Sequence, residues 1–361
     1  MLVVDRRQFI TTALGLSAAA ISSLPAATAT MTYDDAVKAS RGPLQAVPRD
    51  RELVRFATLA ANSHNTQPWI FSAHGNEISI APDFGRRCPA VDPDDHHLFV
   101  SLGCAAENLI VAASALGWHA SPVVDGDRIV IALEQASPAA SALAGAIPLR
   151  QCTRAVFDGK PVAPEILRQL EDACREPNVA AILMTERAAI KKVADYVLAG
   201  NSAQMRDKTF MRELVSWMRF NETDALATMD GLFSRVSGNP SLPAWIARPL
   251  LSVFFTEGGE NGKYREQLDS SAGVVVLAAD RGDKAHWIAV GRACQRFGLR
   301  ATTLGLKYSF VNQPVEVSAL RPQFAASLGL GERRPDIVMR FGTGPDMPKS
   351  LRRPPELVMQ R

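Results

Sequence analysis

Apolar and polar residues follow two rhythms along this chain, helical and extended, and the order of elements they predict occurs twice. From Arg51 to Ala61, Leu53, Val54, Ala57, Ala60 and Ala61 recur at the three-and-four spacing of one helix face. A polar loop over Asn62 to Pro68 leads into a strand pair, Gln67 to Ala73 and Glu77 to Ala81. After a loop rich in proline and arginine, Leu98 to Leu116 is almost wholly apolar and ends at Gly117, the pattern of a helix buried on most sides. Ile129 to Leu133 predicts a further strand, followed by an Ala/Ser/Pro linker around Ser137 to Pro148. The pattern then restarts with a helix over Glu165 to Cys174, a strand over Ala180 to Met184 and a helical stretch of little core character over Glu186 to Arg235. A buried strand over Ser271 to Ala279, a helix over Lys284 to Phe297 and a last strand over Asp336 to Phe341 precede a basic, proline-rich tail. Gly258 to Gly262 reads as a flexible loop. Helices and strands mixed in this way predict an α+β fold.

Sliding the chain against itself supports a repeat. A shift of 188 residues places Gly103 on Gly291, Ala105 on Ala293, Ala113 on Ala301, Leu116 on Leu304 and Gly117 on Gly305. A shift of 113 places Arg41 on Arg154, Glu52 on Glu165, Arg55 on Arg168, Ala60 on Ala173 and Asn65 on Asn178. Two α+β halves are therefore expected, 30–147 and 148–361, the second carrying a helical insertion at about 196–265. Packed around a pseudo-two-fold axis, they would form a monomer that resembles a dimer.

Residues 1–29 stand apart from this pattern. Asp5-Arg6-Arg7-Gln8-Phe9-Ile10 is followed by a run without ionisable side chains through Thr32, and Ala27-Thr28-Ala29 has the small-x-small form of a cleavage site. The arginine pair resembles a twin-arginine (Tat) leader, which implies export in the folded state through the Tat machinery to a periplasmic or extracytoplasmic location. No later apolar stretch is expected to span a membrane. The formal net charge is +3, or +2 without the leader, which argues against nucleic acid as a partner. Five scattered cysteines without a C-x-x-C pair fit neither a disulfide scaffold nor a zinc site, and read as mostly buried free thiols.

The most specific segment is Ser63-His64-Asn65-Thr66-Gln67-Pro68-Trp69, where donors and acceptors are closely spaced just past a helix end and Trp69 can anchor the loop in the core. Asp92-Pro93-Asp94-Asp95-His96-His97 contains metal-ligand residue types, but acidic residues after a proline read as the start of a helix, and no metal is expected. No nucleophile elbow or dinucleotide fingerprint is present.

The Ser63–Trp69 run resembles the S-x-x-N-x-Q-P-W motif of the nitroreductase family, in the form of its Acg-type FMN-binding branch, whose members carry two nitroreductase-like halves. Arg150-Gln151-Cys152-Thr153-Arg154 resembles the family's R-x-x-S/T-R opening, Gly291 to Gly305 its late helix and turn, and Lys349 to Pro354 its basic C-terminal segment. The resemblance implies a nitroreductase-like fold, with the helical insertion as a lid, and one FMN per chain in a composite site. Ser63, His64, Asn65 and Gln67 would come from the first half. Arg150, Thr153, Arg154, Thr303, Leu304, Gly305, Lys349, Arg352 and Arg353 would come from the second. The phosphate suits the guanidinium groups of Arg150, Arg154, Arg352 and Arg353, and the ring edge suits Asn65 and its neighbours. His64 is the one side chain placed to act as a proton donor. The function implied is that of a flavin oxidoreductase passing electrons from N5 to a small electrophilic acceptor, a nitroaromatic, quinone or enone. The alternative is a flavin-binding stress protein without turnover.

Overall fold

The computed structural model describes residues 31–360, so the leader lies outside the described residues. Contacts divide the chain into Met1–Thr32 and Tyr33–Arg361, and the architecture below is that of the second unit. In chain order, α1 (Tyr33–Arg41) and α2 (Arg49–Thr58) precede β1 (Trp69–His74), β2 (Glu77–Pro82) and α3 (His96–Ala115). Then come β3 (Trp118–Asp125), β4 (Arg128–Gln135) and the short α4 (Ala142–Ala146). The second half begins with α5 (Pro164–Ala173) and β5 (Val179–Met184). An insertion follows, with α6 (Arg187–Arg206), α7 (Lys208–Trp217), β6 (Met218–Arg219), α8 (Glu222–Thr228), β7 (Leu232–Phe233), α9 (Ala244–Phe254) and α10 (Glu257–Asp269). The half closes with β8 (Gly273–Ala279), α11 (Lys284–Thr303), β9 (Lys307–Phe310), α12 (Gln313–Glu316), α13 (Arg321–Ser327) and β10 (Ile337–Gly342).

Two antiparallel four-stranded sheets have matching strand orders, β1-β2-β4-β3 and β5-β8-β10-β9. Where the first half joins its first two strands by the turn Gly75-Asn76, the second interposes residues 185–272. That difference explains the contrast between the sheets. In β4, Ile129, Ile131 and Leu133 point to the core while alternate residues are half-buried or exposed. In β8 and β10 every residue is buried, because the insertion helix α6 covers the second face. Uninterrupted apolar strands such as Gly273–Ala279 are the sequence signature of a sheet covered on both sides.

Helices α3 and α11, each of 20 residues, cross between the halves. A Cβ at Gly103 would lie 2.1 Å from the Ile288 carbonyl oxygen, and one at Gly291 would lie 2.0 Å from that of Val100. Positions 103 and 291 are 188 apart, as are 100 and 288, so the two close approaches are reciprocal. Each glycine is required by the other helix's backbone. Alone among the described helices, α3 is long and apolar enough to cross a membrane, contrary to the expectation from sequence, but 83% of that stretch is buried inside the protein.

Other differences have local causes. Gly258–Gly262 is helical: Thr256 caps α10 by accepting a hydrogen bond from the Gly259 amide at 3.2 Å, and Asn261 exchanges hydrogen bonds with Asn201 and Ser202 of α6. Strands β3 and β9 were not expected. The first contains Pro122 and is exposed along much of its length, the second is four residues long, and both lie at sheet edges. The C-terminal tail returns to the first half, where Phe71 donates to the Val358 carbonyl and Gln360 donates back to that of Phe71, both at 2.8 Å.

Candidate functional site

A cavity of about 260 Å³ opens between the end of α2, the N-terminal turns of α3, β9 and the insertion. Its wall includes Ser63 and His64 from the first half and Arg154, Ser309 and Phe310 from the second. Close to half of the wall comes from the insertion, including Asn201 and Gln204 of α6 and Lys263, Tyr264 and Gln267 of α10.

The loop after α2 has a fixed shape. Asn62 Oδ1 accepts from the Gln67 amide at 2.9 Å, and the Thr66 amide donates to the Ser63 carbonyl at 2.9 Å. His64, Asn65 and Gln67 all have left-handed φ, at 45°, 54° and 55°. Such conformations are unfavourable for residues with side chains by about 1–3 kcal/mol each and persist where surrounding contacts enforce them. Here those contacts are plain. Asn65 donates through Nδ2 to the carbonyls of Gly231 and Leu351, and its Oδ1 accepts from Arg352 at 2.7 Å. Gln67 donates to the Met229 carbonyl and accepts from the Arg353 amide. Both side chains thus tie the loop to the insertion and the tail, and neither is on the cavity wall.

The second group is a set of cations. Arg150 donates to the Tyr308 hydroxyl and the Leu59 carbonyl at 2.7 Å each. Arg352 donates to the carbonyls of Thr58 and Ala60, and Arg41 to those of Pro148 and Arg150. Lys349 donates to the Leu149 carbonyl. Among the described residues none of these four forms an ion pair, and the Nε atoms of Arg41 and Arg150 are buried without a partner. Their mutual repulsion has consequences. Burial, then Arg41 and Arg150, holds Arg352 well below the usual arginine range, and burial with the same two neighbours and Lys307 lowers Lys349 to about 7. A cluster of cations without an ion-pair partner, two of them (Arg150 and Arg352) buried, is a site for an anion. The Leu59 and Ala60 carbonyls they hold run directly into Ala61–His64 on the cavity wall.

The remaining expected residues separate. Arg154 faces the cavity and forms no ion pair among the described residues. It is aimed by Arg340, a buried arginine of β10 that donates to the Thr153 and Ala155 carbonyls and stacks 3.9 Å from the Phe157 ring. Thr153 is buried beneath this clamp. Thr303, Leu304 and Gly305, the turn after α11, are not on the cavity wall, and neither are Arg353 and Lys349. Sequence reading missed Arg41, Arg340 and the insertion residues. A charged residue inside an apolar strand was the available sign for Arg340. The spacing of Glu260, Lys263, Tyr264 and Gln267, one helix face, was the sign for α10.

Three groups on the wall are pushed toward their neutral forms. Burial, aided by Arg154 and His97, lowers His64 to about 4, and burial raises Tyr264 to about 12 and the Glu316 carboxyl above its usual range. Cys152, behind the wall, goes the other way: burial raises it, but Arg154 and a hydrogen bond with Ser309 outweigh burial and leave the thiol lowered. A cavity whose wall carries the Arg154 guanidinium and the Lys263–Glu260 ion pair beside uncharged polar and apolar groups suits a flat molecule with polar or anionic edges. Because the folded state lowers the affinity of His64 for protons, the unfolded chain binds more protons between about pH 4 and 6.5, and stability is lost as pH falls through that window. His64→Gln is expected to remove about 2 kcal/mol of the acid sensitivity between pH 7.5 and 5. Chemical denaturation at pH 7.5 and 5, comparing the variant with the parent, measures it; identical pH dependence in the two would contradict a neutral His64.

No family model matches the chain. Over 338 residues it is 25% identical to the protein named "Putative NAD(P)H nitroreductase Rv3131" of Mycobacterium tuberculosis, covering 86% of this chain and 93% of that one. It is 26% identical over 325 residues to the "Putative NAD(P)H nitroreductase acg" of the same organism, covering 84% and 93%. Among solved structures, an FMN-bound nitroreductase from Desulfitobacterium hafniense aligns at 14% identity over 60% of this chain and 95% of its own, with a TM-score of 0.37. The sequence relatives, matched over nearly their whole length, support placing the chain in the nitroreductase family.

Proposed function

We propose that the protein is an FMN-dependent oxidoreductase of nitroreductase type that reduces small electrophilic acceptors such as nitroaromatics, quinones or enones. The observation that carries this reading is the cluster of Arg41, Arg150, Lys349 and Arg352, cations without an ion-pair partner among the described residues, of which buried Arg150 and Arg352 hold the Leu59 and Ala60 carbonyls next to the cavity wall. The unpartnered Nε atoms of Arg41 and Arg150 fit a phosphate, and the names of the sequence relatives support a nicotinamide electron donor. FMN, when bound, supplies hydride and electron transfer at its N5. The chain's own residues would do the rest: the cations would neutralise the phosphate, Ser63, His64 and Arg154 would meet the ring, and the insertion would exclude water. Neutral His64 offers a hydrogen bond rather than a charged acid. Since Lys349 titrates near 7, anion binding at neutral pH is expected to take up a proton.

The share of the wall supplied by the insertion favours a second reading, a flavin-sequestering protein without turnover. We also propose that residues 1–29 direct Tat export to a periplasmic or extracytoplasmic space and that the paired halves make the chain a monomer. The deciding experiment is anaerobic mixing of the FMN-loaded protein with NADPH, NADH or dithionite, followed by acceptor. Bleaching by a nicotinamide and reoxidation by acceptor support the enzyme; bleaching by dithionite alone supports sequestration. Failure of the purified protein to retain any FMN that denaturation can release would overturn both.

A further inference from the structure

At the start of α3, one nitrogen of His96, one nitrogen of His97 and a carboxylate oxygen of Asp92 lie within 4.8 Å of one another, and all three residues are buried. Asp92 caps the helix as the sequence suggests, its two oxygens accepting from the His97 and Leu98 amides at 3.0 Å each. That capping leaves further lone pairs on both oxygens. The imidazoles are held from the other side. His96 Nε2 lies 2.8 Å from Asp336 Oδ1, and His97 Nε2 lies 3.3 Å from the Asp336 backbone carbonyl. A carbonyl can only accept, so His97 carries its proton on Nε2 and presents a lone pair at Nδ1. That nitrogen lies 3.9 Å from Asp92 Oδ1, too far for a hydrogen bond. On His96 the nitrogen left over is likewise Nδ1, and it is buried with no partner on a side chain that is 0% exposed.

Three potential ligand groups thus meet in one buried place, with His96 Nδ1 left without a partner, while Asp336 lies against Nε2 of each ring. This is how proteins prepare histidines as metal ligands: an outer carboxylate or carbonyl sets the tautomer and the inner nitrogen is left free. We propose that Asp92, His96 and His97 form a site for one divalent transition-metal ion of the zinc class, with Asp336 as its outer support. Two imidazoles and one carboxylate are a ligand set for zinc and its first-row neighbours rather than for calcium or magnesium. His97 also lines the cavity, so the ion would sit against the cavity wall, and Asp336 would join the start of α3 to β10 in the other half through it.

The test uses the full-length protein, stripped with chelator and shown by circular dichroism to remain folded. Titration with Zn²⁺ and with Co²⁺ should show uptake of one ion per chain, and Co²⁺ should give the visible absorption of a nitrogen-ligated ion. His97→Gln and Asp92→Asn should each abolish or strongly weaken uptake. Asp336→Asn, which touches no ion directly, should weaken it by about 10- to 100-fold. His74→Gln, at an exposed histidine on β1, should leave it unchanged. No stoichiometric uptake of either ion by the folded parent would overturn the proposal, and so would uptake insensitive to His97→Gln and Asp92→Asn. If those variants do not fold, the Co²⁺ spectrum of the parent decides between histidine ligation and none.

Discussion

Gly291→Ala is expected to destabilise the protein by about 3 kcal/mol or more, because the added methyl would meet the Val100 carbonyl oxygen at 2.0 Å and neither helix can yield without moving its partner. Ordinary overpacking is relieved by rotating a side chain, whereas here the obstacle is backbone in the middle of the helix pair that joins the halves. Gly103→Ala meets the Ile288 carbonyl in the same way. Since one outward displacement of α11 from α3 relieves both clashes, the double variant should lose clearly less than the sum of the two single losses. Gly258→Ala and Gly262→Ala on α10 provide the contrast: nothing lies within 4 Å of an added Cβ at either, and each should gain about 0.5–1 kcal/mol from helix propensity. Denaturant midpoints at constant slope measure all five variants. A loss below about 1 kcal/mol at Gly291 would mean that the helices are not in the contact described.

Arg352→Met is expected to have the second large effect, on both stability and flavin retention. Its guanidinium satisfies the Thr58 and Ala60 carbonyls and Asn65 Oδ1, so removal leaves three buried acceptors short of a donor, at about 1–3 kcal/mol each before relaxation. It also frees Asn65, one of the contacts that enforce the left-handed loop. Under the flavin proposal the same change removes a phosphate ligand, and FMN affinity should fall by about 10- to 100-fold from the loss of one charge-assisted interaction. Lys349→Met separates the two effects. Among the described residues its ammonium is bonded only to the Leu149 carbonyl, so the fold should be spared while FMN binding weakens. Riboflavin, which lacks the phosphate, should bind parent and Lys349→Met alike. Equal weakening for riboflavin and FMN would place the phosphate elsewhere.

The parts of the fold legible from sequence were those whose pattern depends on burial alone. α3 is apolar on all sides because it is packed on nearly all sides, and β8 and β10 read as unbroken apolar runs because both faces of their sheet are covered. Elements whose stability comes from particular partners were not legible. α10 contains three glycines and is held by a cap and by polar contacts with α6, none of which a propensity argument sees. The site divides along the same line. The Ser63–Trp69 loop was identifiable because unusual backbone requires an unusual local sequence, and Ser63, His64 and Arg154 do meet at one cavity. Asn65 and Gln67 were expected to face a ligand, whereas in the structure their side chains bond to the insertion and the tail. Residue type reveals hydrogen-bonding capacity but not its destination, which is decided by segments more than 150 residues away.

The reciprocal approach of Gly103 and Gly291 has a consequence for assembly. A contact in which position 100 meets 291 as 288 meets 103 is isologous, so the α11 of one molecule could in principle seat on the α3 of another as well as on its own. What favours the internal pairing is the short tether of residues 136–148 between the halves, which includes α4 packed against both helices and keeps the second half close to the first. Refolding at high protein concentrations should therefore yield exchanged dimers in which two chains share both crossings, and lengthening this tether should lower the concentration at which they form.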